Sequence, residues 1–239
     1  MKRTNIIAIL LSASLVFSGC GTTGSMSNTA KGGLIGAGSG TALGALLGGV
    51  IGHGKGAAIG AAVGAAVGTG AGVLIGKKMD KAAEQAAKVE GAKVEQVTDN
   101  NGLQAVKVTF DSGILFNTGS STLSNSAQAS LSKFTNNVLK QNPTMDVAVY
   151  GYTDNVGWKN STAEQSAQKN KDLSQSRAQS VASYMLSCGA ASSQIKSVEG
   201  YGEASDNSTA AGREQNRRVE VYMYASQQMI QQAEAGTLQ

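Results

Sequence analysis

Two hydrophobic rhythms divide the chain. Between residues 32 and 76 a glycine returns every fourth position, from Gly32 through Gly52 and again from Gly56 through Gly76, with Ala, Leu, Ile and Val filling the gaps. Period four on a helix draws the glycines into one slowly drifting stripe, the small-xxx-small pattern that lets helix backbones approach closely in lipid. In water each interior glycine costs ~1 kcal/mol relative to alanine. Such a stripe therefore calls for a membrane or a tightly packed partner helix. The halves 32–52 and 56–76 would each measure about 31 Å at 1.5 Å per residue, close to the ~30 Å hydrocarbon thickness of a bilayer. The segment from Gly52 to Gly56, carrying His53 and Lys55, separates them; Lys31 and Lys77-Lys78 stand outside. This pattern predicts a transmembrane-like glycine-zipper helical hairpin over 32–76. The competing reading, a Gly/Ala low-complexity linker, would not require strict phasing or matched halves.

The second rhythm starts near residue 103. Val106, Val108 and Phe110 alternate with polar positions and predict a strand over 103–110. A helix over about 124–141 must end before Pro143. The apolar run Val147 to Tyr150 predicts a strand over 145–151. A helix over 172–188 presents Leu173, Val181, Tyr184, Met185 and Cys188 on one face, with Cys188 as a buried, inert thiol. Strands over 195–201 and 217–225 complete a βαβαββ order, and alternating strands and helices argue an α+β layered sandwich over 103–226. Residues 77–102 are expected to join the two regions, with a short helix over 79–89 at the membrane surface and a turn at 98–102. The glutamine-rich residues 227–239 read as a frayed tail.

The N-terminal end has its own signature. Lys2 and Arg3 precede an apolar core from Ile6 to Phe17, which is the length of a signal peptide and short for a bilayer span. It closes on Phe17-Ser18-Gly19-Cys20, which resembles a lipobox and implies that residues 1–19 are removed and that Cys20 is acylated. An ordinary signal peptide with an incidental cysteine is the alternative. Residues 20–31 are then a flexible tether. Without Lys2 and Arg3 the chain carries 18 Lys+Arg (20 − 2) against 16 Asp+Glu, so its basic balance nearly vanishes. No basic stripe interleaved with aromatics suggests nucleic acid. With Cys20 lipidated, Cys188 has no disulfide partner.

Candidate chemistry gathers between Gly151 and Arg218. Asp154 follows a strand end, and Arg177 lies about one turn into the following helix. A loop carboxylate and a first-turn guanidinium can face one cleft and suit a small zwitterion, Asp154 taking an ammonium and Arg177 gripping a carboxylate as a bidentate fork. A phosphate-loop lookalike at 49–55 has Gly56 in place of the Ser/Thr and no preceding strand. His53 is the only histidine, so catalytic triads and histidine-based zinc sites find no support. The sequence calls for no cofactor.

Four blocks in order carry a resemblance: Gly151-Tyr152-Thr153-Asp154 with Gly157; Asn170 with Leu173-Ser174 and Arg177-Ala178; Gly200-Tyr201-Gly202-Glu203; and Asn216-Arg217-Arg218-Val219-Glu220. They resemble the OmpA-like peptidoglycan-binding domain over roughly residues 100–226, and residues 32–76 resemble the glycine-zipper segments of outer-membrane lipoproteins. The resemblance implies a non-enzymatic periplasmic domain that holds the diaminopimelate group of the peptidoglycan stem peptide. It carries ligand-binding roles to Asp154, Asn170 and Arg177, and Phe116-Asn117 stands where the family has Phe-Asp. Thr153 and Leu173 join the expected ligand-binding set, with Arg217 or Arg218 bracing the Asp154 loop. The alternative for these two arginines is plain surface charge on an edge strand. The twelve residues between Gly157 and Asn170 exceed the family's usual spacing and are expected to form a longer loop at the cleft rim.

Acylation at Cys20 plus an even number of crossings places the C-terminal domain on the anchor's own side. The expected protein is thus an outer-membrane lipoprotein tethered to the wall from the periplasmic face. Two other classes stay open. Glycine-zipper hairpins could form a homo-oligomeric pore or assembly that uses the domain as a wall locator. A hydrolase would need a carboxylate pair, for which Asp154 and Glu203 are the nearest candidates.

Overall fold

The computed structural model of the protein describes residues 69–98, 103–204 and 209–238. The signal peptide, Cys20, the tether, the hairpin as far as residue 68 and the turn expected at 98–102 lie wholly or mostly outside them. Twelve elements of sheet and helix follow in order. They are helix α1 (Thr69–Ala87), strands β1 (Ala92–Thr98) and β2 (Gln104–Asp111), the short helix α2 (Ser112–Leu115), helix α3 (Asn125–Phe134) continued by a π turn (Thr135–Leu139), β3 (Met145–Thr153), α4 (Ala163–Ser187), β4 (Ile195–Glu203), the short helix α5 (Ala210–Asn216), β5 (Arg218–Ala225) and α6 (Gln227–Glu234).

One five-stranded sheet, ordered β1-β2-β5-β3-β4, carries them. Neighbours run antiparallel except β3 and β4, which are parallel and joined by the crossover helix α4. A parallel pair needs such a crossover because a tight hairpin cannot reverse the chain twice. The four strands and two long helices expected after residue 103 all form, and β1 pairs with β2 as a fifth strand. β5 lies at the centre of the sheet, so Arg218 and Glu220 are not on an edge strand.

Alternation decides the faces. Val106, Val108, Phe110, Val147, Val149, Val219, Val221 and Met223 project to one side and are buried beneath the helices. There Phe110 meets Phe134 edge-on, with ring centroids 5.8 Å apart. The other side carries Tyr150, Tyr152, Tyr201, Tyr222 and Tyr224 with Ala105 and Ala148. Tyr201 is edge-on to Tyr150 at 5.2 Å and stacked on Tyr152 at 5.5 Å.

Three sequence expectations are revised. The helix expected over 79–89 is the second half of α1, and its stripe of Ile75, Met79, Ala82, Ala83 and Ala86 is buried against the protein, where α1 contacts α6, β1 and β2. The boundary drawn at 76/77 falls inside this one helix, and Gly72 and Gly76 of the glycine stripe are buried with it. The tail is not frayed: α6, capped by the Ser226 hydroxyl accepting from Met229 N at 3.1 Å, buries Met229, Ile230 and Ala233. Cys188 is the C-cap of α4 and only half-buried, at the very end of the helix. Among the described residues no helix is long and apolar enough to cross a membrane.

Candidate functional site

The start of α4 governs the site. Thr162 and Gln165 form a capping box, Gln165 N donating to Thr162 Oγ1 at 3.2 Å and Thr162 N to Gln165 Oε1 at 3.0 Å. Two orphan backbone donors are thereby satisfied, and the helix starts at Ala163 rather than near 172. Most of the segment expected as a long loop is therefore helix. The true loop is short, running from Asp154 to Ser161.

Two motif glycines set how closely α4 lies on the sheet. A Cβ on Gly151 would stand 2.2 Å from the Ser174 carbonyl oxygen, and one on Gly200 would stand 2.0 Å from Gln175 N. Only glycine leaves room for that approach. Ser174 Oγ then accepts from Gly202 N at 2.8 Å, and Gln175 Oε1 from Gly200 N at 2.7 Å. These bonds stitch β4 to the helix and deliver Asn170, Leu173 and Arg177 to the end of β3.

There a cleft of about 570 Å³ opens between the β3–α4 loop, α4 and the α2 region. Asp154, Arg177, Asn170, Phe116, Thr153, Leu173 and Arg217 all line it. Asn117 is exposed and does not; its carbonyl instead accepts from Ser120 N at 3.0 Å in the turn that shapes one wall. Arg218 turns to the opposite, tyrosine-bearing face, where it donates to Glu220 at 2.6 Å and lies 4.3 Å from the Tyr152 ring centroid.

Asp154 is buried, with one oxygen accepting from Arg217 Nη1 at 2.5 Å and the other from Val156 N at 3.2 Å. Of the two adjacent arginines, Arg217 is thus the one that braces the loop. Asn170, also buried, is fully occupied by the protein. Its amide nitrogen donates to the carbonyls of Asp154 and Val156, both at 3.3 Å, and to Glu203 at 3.1 Å, while its oxygen accepts from the Trp158 indole at 2.7 Å. Asn170 therefore positions the Asp154 loop.

Arg177 is only 4% exposed. Its Nε donates to the Ser120 carbonyl at 3.0 Å and its guanidinium carbon lies 5.2 Å from the Phe116 ring centroid. Among the described residues no carboxylate stands within ion-pair distance of it. Burial pushes its pKa below the ordinary arginine value; the Asp154 charge opposes that and the Arg217 charge adds to it. Two buried hydroxyls at the same cleft, Ser112 Oγ and Thr153 Oγ1, have no hydrogen-bond partner among the described residues. The arrangement is a recess with a braced carboxylate, a guanidinium in no direct ion pair and two hydroxyls without a partner among the described residues. It can hold a ligand of both charges. Sequence reasoning missed Ser112 and Trp158. Nothing marked the serine, whereas the chain's single tryptophan in a polar segment was a signal.

Comparison with known proteins bears on this picture. The OmpA family matches residues 115–220 and the YMGG-like Gly-zipper matches residues 1–80. The probable lipoprotein YiaD of Escherichia coli (strain K12) is 36% identical over 231 residues, spanning 92% of this chain and 97% of that protein. Outer membrane porin F of Pseudomonas fluorescens is 40% identical over 93 residues, 38% of this chain and 26% of that one. The crystal structure of a putative MotB-like protein from Desulfovibrio vulgaris superposes with a TM-score of 0.52 at 23% identity, covering 64% of this chain and 94% of that one, a likeness of fold. The chain belongs to the OmpA family, with a YMGG-like Gly-zipper segment ahead of its OmpA-like domain.

Proposed function

We propose that the cleft binds peptidoglycan non-covalently through the diaminopimelate group of the stem peptide, and that the chain tethers a membrane to the cell wall. One observation carries the reading: among the described residues no carboxylate stands within ion-pair distance of the buried Arg177, and the buried Asp154 of the same cleft is paired with Arg217 instead. Burying an uncompensated charge is unfavourable, so such a pair suits an occupant that supplies the missing carboxylate to Arg177 and an ammonium to Asp154. Diaminopimelate offers both at one end of its chain. Binding of this kind makes and breaks no bond. Family membership and the likeness to a probable lipoprotein support an envelope location, with Cys20 as the acyl anchor in the outer membrane, the domain in the periplasm and the Gly-zipper segment on or across the bilayer. Assembly of several copies through that segment, as a pore or scaffold located on the wall, is the second reading, favoured by the strict glycine phasing.

The test is co-sedimentation of full-length protein in detergent with purified sacculi. Wild type is expected in the pellet, and Asp154→Ala and Arg177→Ala in the supernatant, with no muropeptide released by any of them. Wild type left in solution, or both variants pelleting as wild type does, would overturn the reading.

A further inference from the structure

The cleft has a large apolar surface that the pairing of charges leaves unused. Trp158, the only tryptophan of the chain, stands at its rim, half-buried. It is held at two points on α4: its indole Nε1 donates to Asn170 Oδ1 at 2.7 Å and its backbone N donates to Ser166 Oγ at 3.0 Å. The Lys169 ammonium lies 5.9 Å from its ring centroid. The far edge of the ring reaches across to the turn at Gly119, where a Cβ would lie 3.9 Å from Trp158 Cη2. The indole thus spans the mouth of the cleft from α4 to the α2–α3 connection. It is fixed at its polar edge and lines the same cleft as Asp154 and Arg177.

We infer that Trp158 is a ligand-contacting, specificity-setting residue, whose ring packs against the methylene spine of a long zwitterion held at its charged end by Asp154 and Arg177. This rests on the peptidoglycan reading above and deepens it. A rigid indole supplies a large contact area at little entropic cost, and its short bond to Asn170 orients it before the ligand arrives. The site then favours a diamino-dicarboxylic acid with several methylenes over a short amino acid such as alanine, which offers the same charged end and no spine.

The same side chain supplies the readout. Full-length protein in detergent is titrated with free meso-diaminopimelate and, separately, alanine, by calorimetry and by tryptophan emission. An emission change that saturates at the calorimetric Kd is expected. Trp158→Ala should lose about tenfold in diaminopimelate affinity with alanine affinity little altered, and Trp158→Phe, which keeps an aromatic face but lacks the N–H to Asn170, should lose less, about threefold. A latch acting only through Asn170 predicts equal losses for both variants and for both ligands, and that result overturns the inference. So does wild-type binding heat with emission unchanged. If wild type gives no heat and leaves sacculi unbound, the peptidoglycan reading itself fails, which the wild-type measurements alone reveal. Circular dichroism of both variants separates misfolding from lost contact.

Discussion

Arg177 shows how one side chain can matter to a site while adding little to the stability of the fold. Its charge is buried, with a single hydrogen bond to the Ser120 carbonyl and an aromatic neighbour in Phe116. An apolar replacement of similar length would lose that bond and also remove an uncompensated cation, two effects of opposite sign and each on the order of 1–3 kcal/mol. Arg177→Met is therefore expected to leave the unfolding free energy of the ligand-free protein within about 1 kcal/mol of wild type by urea titration, while sacculus binding is lost. A drop of several kcal/mol would mean that the charge is compensated within the protein. Arg177→Lys should not restore binding, because a lysine cannot present the planar two-donor fork.

At the scale of elements, the position of α4 decides the site, and glycines decide the position of α4. Gly200→Ala would bring a methyl to 2.4 Å from Ser174 Oγ and still closer to Gln175 N. Since the clash is with helix backbone, α4 must shift. Overpacking of this kind costs about 1–3 kcal/mol, so we expect a lower urea midpoint and, with Asn170 and Arg177 displaced, weaker sacculus binding. The tyrosine face of the sheet gives a prediction in pH. Burial, partly offset by a hydrogen bond with Ser197 and reinforced by the Glu199 charge, pushes Tyr150 up to about 12. Burial likewise pushes up Tyr152 and Tyr222, with the Glu220 charge adding, and Tyr201, with Tyr150 adding. The fold thus holds phenol protons that an unfolded chain releases near pH 10. The stability associated with these neutral phenols is intact below pH 10 and is lost as pH climbs from about 10 through 12. Phenolate absorbance of the native protein should lag that of the urea-unfolded chain over this window. Coincident curves would mean that the face is open to water.

Much at this scale was legible in sequence. Period-two alternation located β2, the apolar run from Val147 to Tyr150 located β3, and Pro143 bounded the helix before β3. The capping box at Thr162 and Gln165 was also present in the letters, yet the polar run after it, Glu164 to Lys171, masked the helix start. That first half of α4 carries few large apolar residues, and its helix rests on the cap and on contacts of Ser166 and Asn170 with the loop.

At the scale of the whole molecule, α1 and α6 close one end of the helical layer. Ile75, Met79, Ala82 and Ala86 from one, and Met229, Ile230 and Ala233 from the other, are buried. Neither helix is a spare part, so the folding unit starts within the YMGG-like Gly-zipper match rather than after it. A fragment of residues 92–239 should therefore be less stable than one of residues 69–239, by several kcal/mol given about 1.5–3 kcal/mol for each large buried apolar side chain uncovered. Thermal unfolding of the two fragments checks this, and equal midpoints would show that α1 contributes nothing to the fold.

By itself the sequence determined four of the domain's strands, much of its two long helices, its α+β class and the presence of Asp154 and Arg177 in one cleft, because hydrophobic period and motif spacing are local properties written in the order of residues. Only the tertiary structure decided that Arg217 and not Arg218 meets Asp154, since Arg217 closes α5 as its C-cap beside the Asp154 loop while Arg218 opens β5 and turns to the tyrosine-bearing face. It also decided that Asn170 spends its amide on the protein and that α1 is docked on the sheet. Trp158 at the cleft mouth is decided there as well. Each of these depends on which groups, far apart in the chain, the fold brings within bonding distance.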